Sequence, residues 1–188
     1  MKTIFITGAT SGIGKATAET FAKQGHRLII CGRRKEVSEQ LQIELSNITE
    51  VYSLVFDVRN QEEVENAIHS LLEEWKNIDV LVNNAGNAHG LEPISDANIS
   101  DWDAMMDGNV KGLLYVSQPI IKLMKANNSG HIVNISSVAA RQTYANGTVY
   151  CASKKAVDVI SEGMRLELTE FGIKVTNVQP GAVETDFS

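Results

Sequence analysis

Residues 3–14 read TIFITGATSGIG, an apolar run rich in isoleucine that leads into Gly8, Gly12 and Gly14. We expect the run to form a first strand and a helix to follow at the last glycines. In such a turn Gly8 permits a tight bend, Gly12 lets the backbone approach a pyrophosphate, and Gly14 lets the helix pack closely on the strand. The helix N-terminus would offer free N–H groups to the phosphates. Because the spacing is G-x3-G-x-G and not G-x-G-x-x-G, a purely structural glycine turn is the alternative.

The alternation of a short apolar run and a longer amphipathic segment continues along the whole chain. Strands are predicted at Thr3–Thr7, Arg27–Cys31, Val51–Phe56, Asp79–Val82, His131–Ser136 and Ile173–Gln179, and helices at about 12–24, 35–46, 61–75, 99–126 and 149–171. Nearly continuous apolar runs are typical of strands buried on both faces of a parallel sheet. The predicted fold class is therefore α/β, a doubly wound parallel sheet with helices on both faces, Rossmann-like. We expect Pro119 to kink or divide the 99–126 segment.

Composition and charge restrict the class of protein. The 188 residues are 43% hydrophobic and 21% charged, which is typical of one soluble globular domain spanning 1–188. A net charge of -6 argues against a nucleic-acid partner. No apolar run approaches the ~20 residues that span a bilayer, and the N-terminus lacks the long apolar core of a signal peptide. Cys31 and Cys151 show no metal-ligand spacing, so we expect reduced thiols, no metal and a cytoplasmic protein.

The end of the second predicted strand bears on the kind of nucleotide that the chain binds. It reads Cys31-Gly32-Arg33-Arg34, and no carboxylate follows until Glu36. NAD-binding domains usually place an acidic residue here for the ribose 2′-hydroxyl. Two guanidiniums instead suit a 2′-phosphate, through charge and paired hydrogen bonds. The alternative is a solvated basic pair, although cations are disfavoured at a helix N-terminus. The pattern predicts NADP as the cofactor in preference to NAD.

A possible acid–base group opens the last helical segment. Tyr150 and Lys154 are four residues apart, so they share a helix face, one turn apart. A nearby ammonium is expected to lower the pKa of a tyrosine, which suits proton exchange with an alcohol or carbonyl oxygen. Ser136 and Ser137 end the fifth strand, where a hydroxyl can hold a substrate oxygen. Each feature alone is weak: Y-x3-K occurs by chance in many helices, and a serine pair can simply cap a loop.

Together these residues resemble the short-chain dehydrogenase/reductase family. The motifs that carry the resemblance occur in the family's order and roughly its spacing: TGATSGIG from Thr7, Asn83-Asn84-Ala85-Gly86, Asn109, the set Ser137, Tyr150 and Lys154, and Pro180-Gly181. The resemblance covers essentially all 188 residues. It implies an oxidoreductase that transfers hydride between a nicotinamide and a carbon bearing a hydroxyl or carbonyl oxygen. The cofactor supplies the redox chemistry.

The resemblance also implies roles for four catalytic residues. Tyr150 exchanges a proton with the substrate. Lys154 lowers the pKa of Tyr150 and binds the nicotinamide ribose. Ser137 holds the substrate oxygen, and is chosen over Ser136 because the family's gap to the tyrosine is commonly 13 residues. Asn109 holds Lys154 through a water in a proton relay. The substrate-binding residues are thus Ser137 and Tyr150.

The remaining site residues implied by the resemblance bind the cofactor. Asp57 and Val58 contact the adenine, 84–86 line the cofactor beside the fourth strand, and 180–185 run along the nicotinamide, with Thr185 near its carboxamide. The full cofactor-binding set is Gly8, Thr10, Ser11, Gly12, Ile13, Gly14, Arg33, Arg34, Asp57, Val58, Asn84, Ala85, Gly86, Tyr150, Lys154, Pro180, Gly181, Val183 and Thr185. His89, Gln142 and Tyr144 are further candidates for the pocket.

Within the family, the chain resembles most closely the NADP-dependent 3-hydroxy acid dehydrogenases that oxidise serine and allo-threonine. The segments that carry this likeness are Gly32-Arg33-Arg34, 57–60, 77–81, 130–132 and 184–188. A carbonyl or sugar reductase with another substrate and a non-catalytic NADP-binding sensor are the alternatives. The resemblance implies a homotetramer. Since family members run to about 250 residues, we expect the chain to be C-terminally incomplete, without the last strand and the lid over the substrate.

Overall fold

The strands of the sheet all run parallel. The computed structural model describes residues 1–184, and within them the strands are β1 (Thr3–Thr7), β2 (Arg27–Gly32), β3 (Val51–Val55), β4 (Val80–Asn83), β5 (Gly130–Ile135) and β6 (Ile173–Val178). Their order across the sheet is β3-β2-β1-β4-β5-β6. The order therefore reverses between β1 and β4, and a crevice opens at such a switch point in doubly wound sheets. The predicted fold class is confirmed.

The helices connect these strands. They are α1 (Gly12–Lys23), α2 (Lys35–Ser46), α3 (Gln61–His69), α4 (Ile99–Met106), α5 (Gly112–Ala126) and α6 (Thr148–Leu168). Short 3-10 turns lie at Glu73–Trp75, Val138–Ala140 and Thr169–Phe171. The segment predicted as one helix over 61–75 therefore ends at His69, and its C-terminal part is a separate turn. The other boundaries differ from the predicted ones by only a few residues.

The two faces of the sheet bury separate apolar clusters. Phe5, Ile29, Leu81 and Ile132 lie side by side in adjacent strands and face α3, α5 and α6. Their neighbours along the strands, such as Ile6 and its sheet partners, face α1 and α2 on the opposite side. Since side chains alternate along a strand, one run of apolar residues serves both clusters. This packing fixes the strand ends that carry the site.

The segment predicted as one helix over 99–126 is divided, although not at Pro119. A π-helical turn, Asp107–Lys111, separates α4 from α5, and α5 continues through Pro119. Close packing marks the start of α5, just after the turn: a Cβ on Gly112 would lie 2.8 Å from Cγ2 of Val58. The expectation that Pro119 divides the segment is therefore wrong, since the interruption lies upstream of it. Single π turns of this kind occur often at functional sites.

Candidate active site

One cleft runs across the carboxyl ends of the strands, with a volume of about 1160 Å³. Most of the predicted site residues lie on its wall: Gly8, Thr10, Ser11, Gly12, Ile13, Arg33, Arg34, Asp57, Val58, Asn84, Ala85, Gly86, Ser137, Tyr150, Lys154, Pro180, Gly181 and Val183. Gly14 and Asn109 lie buried behind this wall. Thr185 lies outside the described residues. His89, Gln142 and Tyr144 also line the cleft.

The glycine turn has the geometry that a phosphate-binding turn needs. Gly8 and Gly12 have φ angles of 63° and 51°, in the left-handed region that favours glycine. A Cβ on Gly14 would overlap the carbonyl oxygen of Gly8, so a side chain there would force α1 away from β1. The N-cap Ser11 makes no side-chain capping hydrogen bond. The first turn of α1 therefore keeps N–H groups available to an anion.

Thr7 and Asn84 tie this turn to the end of β4. The Thr7 hydroxyl oxygen accepts hydrogen bonds from the backbone N–H groups of Asn84 and Ala85, both at 3.0 Å. In return, Nδ2 of Asn84 donates to the carbonyl oxygens of Thr7 and Gly8 at 3.1 and 3.0 Å. Thr7 is not among the site residues that the sequence predicts. Its only signal is a hydroxyl at the end of the first strand.

Charged side chains gather at the β2 and β3 end of the cleft. Arg59 forms a paired contact with Asp57, in which Nε lies 3.0 Å and Nη2 2.6 Å from Oδ2. Arg33 approaches the same oxygen, with Nη1 3.9 Å away. Burial raises the pKa of Asp57, but the hydrogen bonds from Arg59 and the charges of both arginines outweigh it and hold that pKa below its usual value. Arg59 lines the cleft, and it is absent from the predicted site residues.

Tyr150 and Lys154 lie on the first two turns of α6, facing β5. The Lys154 side chain is buried, and its Nζ donates a hydrogen bond to the carbonyl oxygen of Ile135 at 3.0 Å. The same Nζ lies 5.9 Å from the centroid of the Tyr150 ring. Burial lowers the pKa of Lys154 to about 8. The ammonium is therefore close to the tyrosine and easily deprotonated for a lysine.

The pKa of Tyr150 moves in the direction opposite to the one expected. Burial raises it, and a hydrogen bond with the Ser137 side chain lowers it by less. Desolvation of the phenolate therefore outweighs the stabilisation of the charged form in this structure. The expectation of a lowered pKa rested on the helical spacing from Lys154 and on the family resemblance, and neither reveals how deeply the ring is buried.

The two serines after β5 have different surroundings. Ser136 is buried, and its hydroxyl lies 3.0 Å from the carbonyl oxygen of Lys154 and 2.8 Å from Oδ1 of Asp158. Ser137 faces the cleft, where its hydroxyl accepts the backbone N–H of Ala139 at 3.1 Å and bonds to Tyr150. The structure thus brings Ser137, and not Ser136, to the tyrosine.

Asn109 is buried in the π turn and is held by two partners. Its Oδ1 accepts the backbone N–H of Asn87 at 2.8 Å, while Nδ2 donates to the carbonyl oxygen of Asn87 at 2.9 Å and to the Ser153 hydroxyl at 3.0 Å. A Cβ on Gly86 would lie 2.9 Å from Oδ1 of Asn109 and 3.6 Å from Nζ of Lys154. The side chains of Asn109 and Lys154 therefore both lie beside Gly86. Asn87 and Ser153 are partners that the sequence did not predict.

Asp158 joins the ends of β5 and β6, and it too is absent from the predicted set. Besides Ser136, its carboxylate accepts hydrogen bonds from Nδ2 of Asn177 at 2.7 Å and from Nε2 of Gln179 at 2.8 Å. Asp158 lies one helical turn beyond Lys154, and Gln179 directly precedes Pro180. One carboxylate thus fixes both strand ends that border the reactive part of the cleft.

Metal-binding and membrane-spanning features were expected to be absent, and the following holds for residues 1–184 alone. In that range, no cluster of three or more histidine, cysteine, aspartate or glutamate side chains has the arrangement of a metal site. The helices described there include none that is both long enough and apolar enough to cross a membrane.

The chain belongs to the short-chain dehydrogenase family, whose model matches residues 2–188. The NADP-dependent 3-hydroxy acid dehydrogenase YdfG of Escherichia coli K12 is 42% identical over 186 residues, covering 98% of this chain and 74% of the relative. Sulfoacetaldehyde reductase 2 of Chromohalobacter salexigens is 40% identical with the same coverage. A closed form of serine dehydrogenase complexed with NADP+ superposes with a TM-score of 0.93 at 42% identity, covering 98% of this chain and 74% of that one. The expected family is therefore confirmed.

Proposed function

We propose that residues 1–188 form a single NADP-binding domain that transfers hydride between NADP and the hydroxyl-bearing carbon of a small 3-hydroxy acid, such as serine or allo-threonine. The observation that carries this proposal is the convergence of Ser137, Tyr150 and Lys154 at one end of a cleft whose other end carries Arg33. Family membership and the names of the similar proteins support the reaction class and the cofactor.

The cleft suits a dinucleotide on structural grounds. The left-handed glycines at the start of α1 leave room for a pyrophosphate, and Gly14 keeps the helix close to the turn. Arg33, with 62% of its side chain exposed, can reach a 2′-phosphate. When bound, NADP would supply the acceptor for the hydride, and this chain would bind the cofactor, hold the substrate oxygen and accept its proton.

Tyr150 is the proton acceptor in this proposal. Its phenolic group bonds to Ser137, so a substrate oxygen placed between the two would contact both hydroxyls. When Tyr150 removes the proton from a substrate hydroxyl, the carbon that bears the oxygen becomes a better hydride donor. Before the transfer, the proton is on the substrate hydroxyl and Tyr150 is a phenolate. The buried ammonium of Lys154 stabilises that phenolate. Asn109 keeps Asn87 and Ser153 fixed around that lysine.

A carbonyl reductase working in the opposite direction is the second candidate, favoured by the likeness to a sulfoacetaldehyde reductase. A non-catalytic NADP-binding sensor is disfavoured because Tyr150, Lys154 and Ser137 are all present and adjacent. The test is absorbance at 340 nm with NADP or NAD and serine, allo-threonine, 3-hydroxyisobutyrate and 3-hydroxybutyrate, and with NADPH and sulfoacetaldehyde. Turnover of the hydroxy acids supports the first candidate, and turnover of the aldehyde alone supports the second.

The proposal includes a homotetramer in the cytoplasm. Apolar side chains on the two helices that flank the π turn are exposed, with Ile99 at 65% and Leu114 at 40%. Exposed apolar side chains of this kind fit contacts between copies of the chain. Cys31 and Cys151 are free and buried, as suits a reducing compartment. Light scattering after gel filtration of the chain tests the assembly, and a monomer at micromolar concentration would contradict it.

A further inference from the structure

A third arginine shapes the charge at the adenine end of the cleft. Arg59 lies on the cleft wall and grips Asp57 through both carboxylate oxygens, with Nε 3.1 Å from Oδ1 and 3.0 Å from Oδ2. The backbone N–H of Arg59 donates to Oδ1 as well, at 3.0 Å. Paired contacts of this kind hold both side chains in one orientation.

Asp57 also attracts Arg33, the residue that a 2′-phosphate would need. Nη1 of Arg33 lies 3.9 Å from Oδ2 of Asp57, and Nη2 of Arg59 lies 2.6 Å from the same oxygen. The carboxylate and the phosphate would therefore compete for the Arg33 guanidinium. The contact between Arg59 and Asp57 is the shorter of the two. Arg59 therefore neutralises most of the Asp57 charge, and Arg33 is held only weakly by that carboxylate.

Other carboxylates add to the negative charge around this point. Oε2 of Glu63 accepts the backbone N–H of Asp57 at 3.0 Å. Asp107 interacts with Arg59 from the π turn, where it is paired with Lys111 at 2.7 Å. Without Arg59, a phosphate that approaches Arg33 would meet the unneutralised negative charge of Asp57, with Glu63 beside it. A phosphate dianion is sensitive to that charge, whereas a ribose hydroxyl is much less so.

We propose that Arg59 is a specificity-determining residue for NADP, which acts by neutralising Asp57 so that Arg33 remains available to the 2′-phosphate. The inference rests on the proposed use of NADP. It differs from direct phosphate recognition by Arg59, because its effect depends on Asp57. Removal of Asp57 should therefore suppress the effect of removing Arg59.

The test measures the Kd values of NADPH and NADH by nicotinamide fluorescence in the full chain and in four variants. Arg59→Gln should weaken NADPH binding about tenfold and NADH binding less than about twofold. Arg59→Lys, which keeps the charge but not the paired geometry, should fall between. In Asp57→Asn/Arg59→Gln the NADPH-to-NADH affinity ratio should return to within about threefold of the wild-type ratio. Lys23→Gln, an exposed charge removal at the end of α1, should leave the ratio unchanged.

Because both nucleotides are titrated against the same preparation, any loss of folded protein cancels in the ratio. An unchanged ratio in Arg59→Gln would overturn the inference, and so would a ratio that stays low in the double variant. The second result would mean that Arg59 contacts the phosphate directly. Equal affinity of the wild-type chain for NADPH and NADH would overturn the proposed cofactor itself, and the inference with it.

Discussion

Lys154 donates a hydrogen bond from Nζ to the carbonyl oxygen of Ile135, 3.0 Å away, and so joins the second turn of α6 to the last residue of β5. The bond places a buried ammonium where the cleft needs a positive charge. Burial of the charged form is unfavourable, and it lowers the pKa of Lys154 from 10.5 to about 8.

That pKa predicts how stability depends on pH. Between pH 8 and 10.5 the unfolded lysine keeps its proton while the folded lysine has lost it, so the free energy of unfolding should rise with pH. For a shift of this size the rise is about 3 kcal/mol. Urea titrations across this pH range give the free energy of unfolding of the wild type and of Lys154→Met. The difference between the two values measures the contribution of Lys154. A difference that stays constant with pH would show that Lys154 is not desolvated.

Ser137 and Ser136 should respond differently to replacement by alanine. Ser137→Ala removes the hydroxyl that bonds to Tyr150 and should lower kcat by about 10²-fold or more. Loss of its hydrogen bond with the Ala139 N–H should cost about 0.5–1 kcal/mol of stability. Ser136→Ala removes the buried hydroxyl that contacts the carbonyl oxygen of Lys154 and the carboxylate of Asp158, and should lower the free energy of unfolding by about 1–2 kcal/mol. Steady-state kinetics and urea titration separate the two effects. A larger loss of kcat in Ser136→Ala would reverse the assignment.

Gly14 and Gly163 form a matched pair of helical glycines. A Cβ at Gly14 would overlap the backbone oxygen of Gly8, so Gly14→Ala should lower stability by about 1–3 kcal/mol and weaken NADPH binding. At Gly163 in α6, a Cβ meets nothing within 4 Å. Gly163→Ala should therefore raise stability by about 0.5–1 kcal/mol and leave NADPH binding unchanged. Thermal melts with and without NADPH give both values, and equal behaviour of the two variants would contradict the packing described for α1.

Asp158 predicts a loss of stability in acid. Burial raises its pKa, but hydrogen bonds from Asn177, Gln179 and Ser136 outweigh this and hold the pKa below the ordinary 3.8. The stabilisation is therefore fully present above about pH 4 and is lost as the pH falls through the folded pKa. The difference in Tm between wild type and Asp158→Ala should shrink below pH 4. A difference that is independent of pH would mean that the carboxylate charge contributes nothing.

Much of the fold follows from short-range patterns. Most strands contain several Ile, Val or Leu residues, and their alternation with amphipathic segments predicts a parallel sheet. The glycine turn and the Ser137, Tyr150 and Lys154 set are also visible in the sequence, because together they occur in the order and spacing of the family that the chain resembles.

The unpredicted parts depend on contacts between distant residues. The π turn carries Asn109, which bonds to the backbone of Asn87, a contact that no helical period reveals. Asp158 meets Asn177 and Gln179 only when β6 lies beside β5. The raised pKa of Tyr150 reflects burial by the whole cleft, whereas the sequence shows only its spacing from Lys154.

The most direct test of the proposed function is NADPH formation at 340 nm from NADP and the hydroxy-acid panel, by wild type and by Tyr150→Phe. Phe keeps the ring that lines the cleft and removes only the hydroxyl that bonds to Ser137. The expected result is turnover by the wild type and a fall in kcat of about 10³-fold or more in the variant, with NADPH still bound. Near-normal kcat in Tyr150→Phe would contradict the assignment of Tyr150 as the proton acceptor.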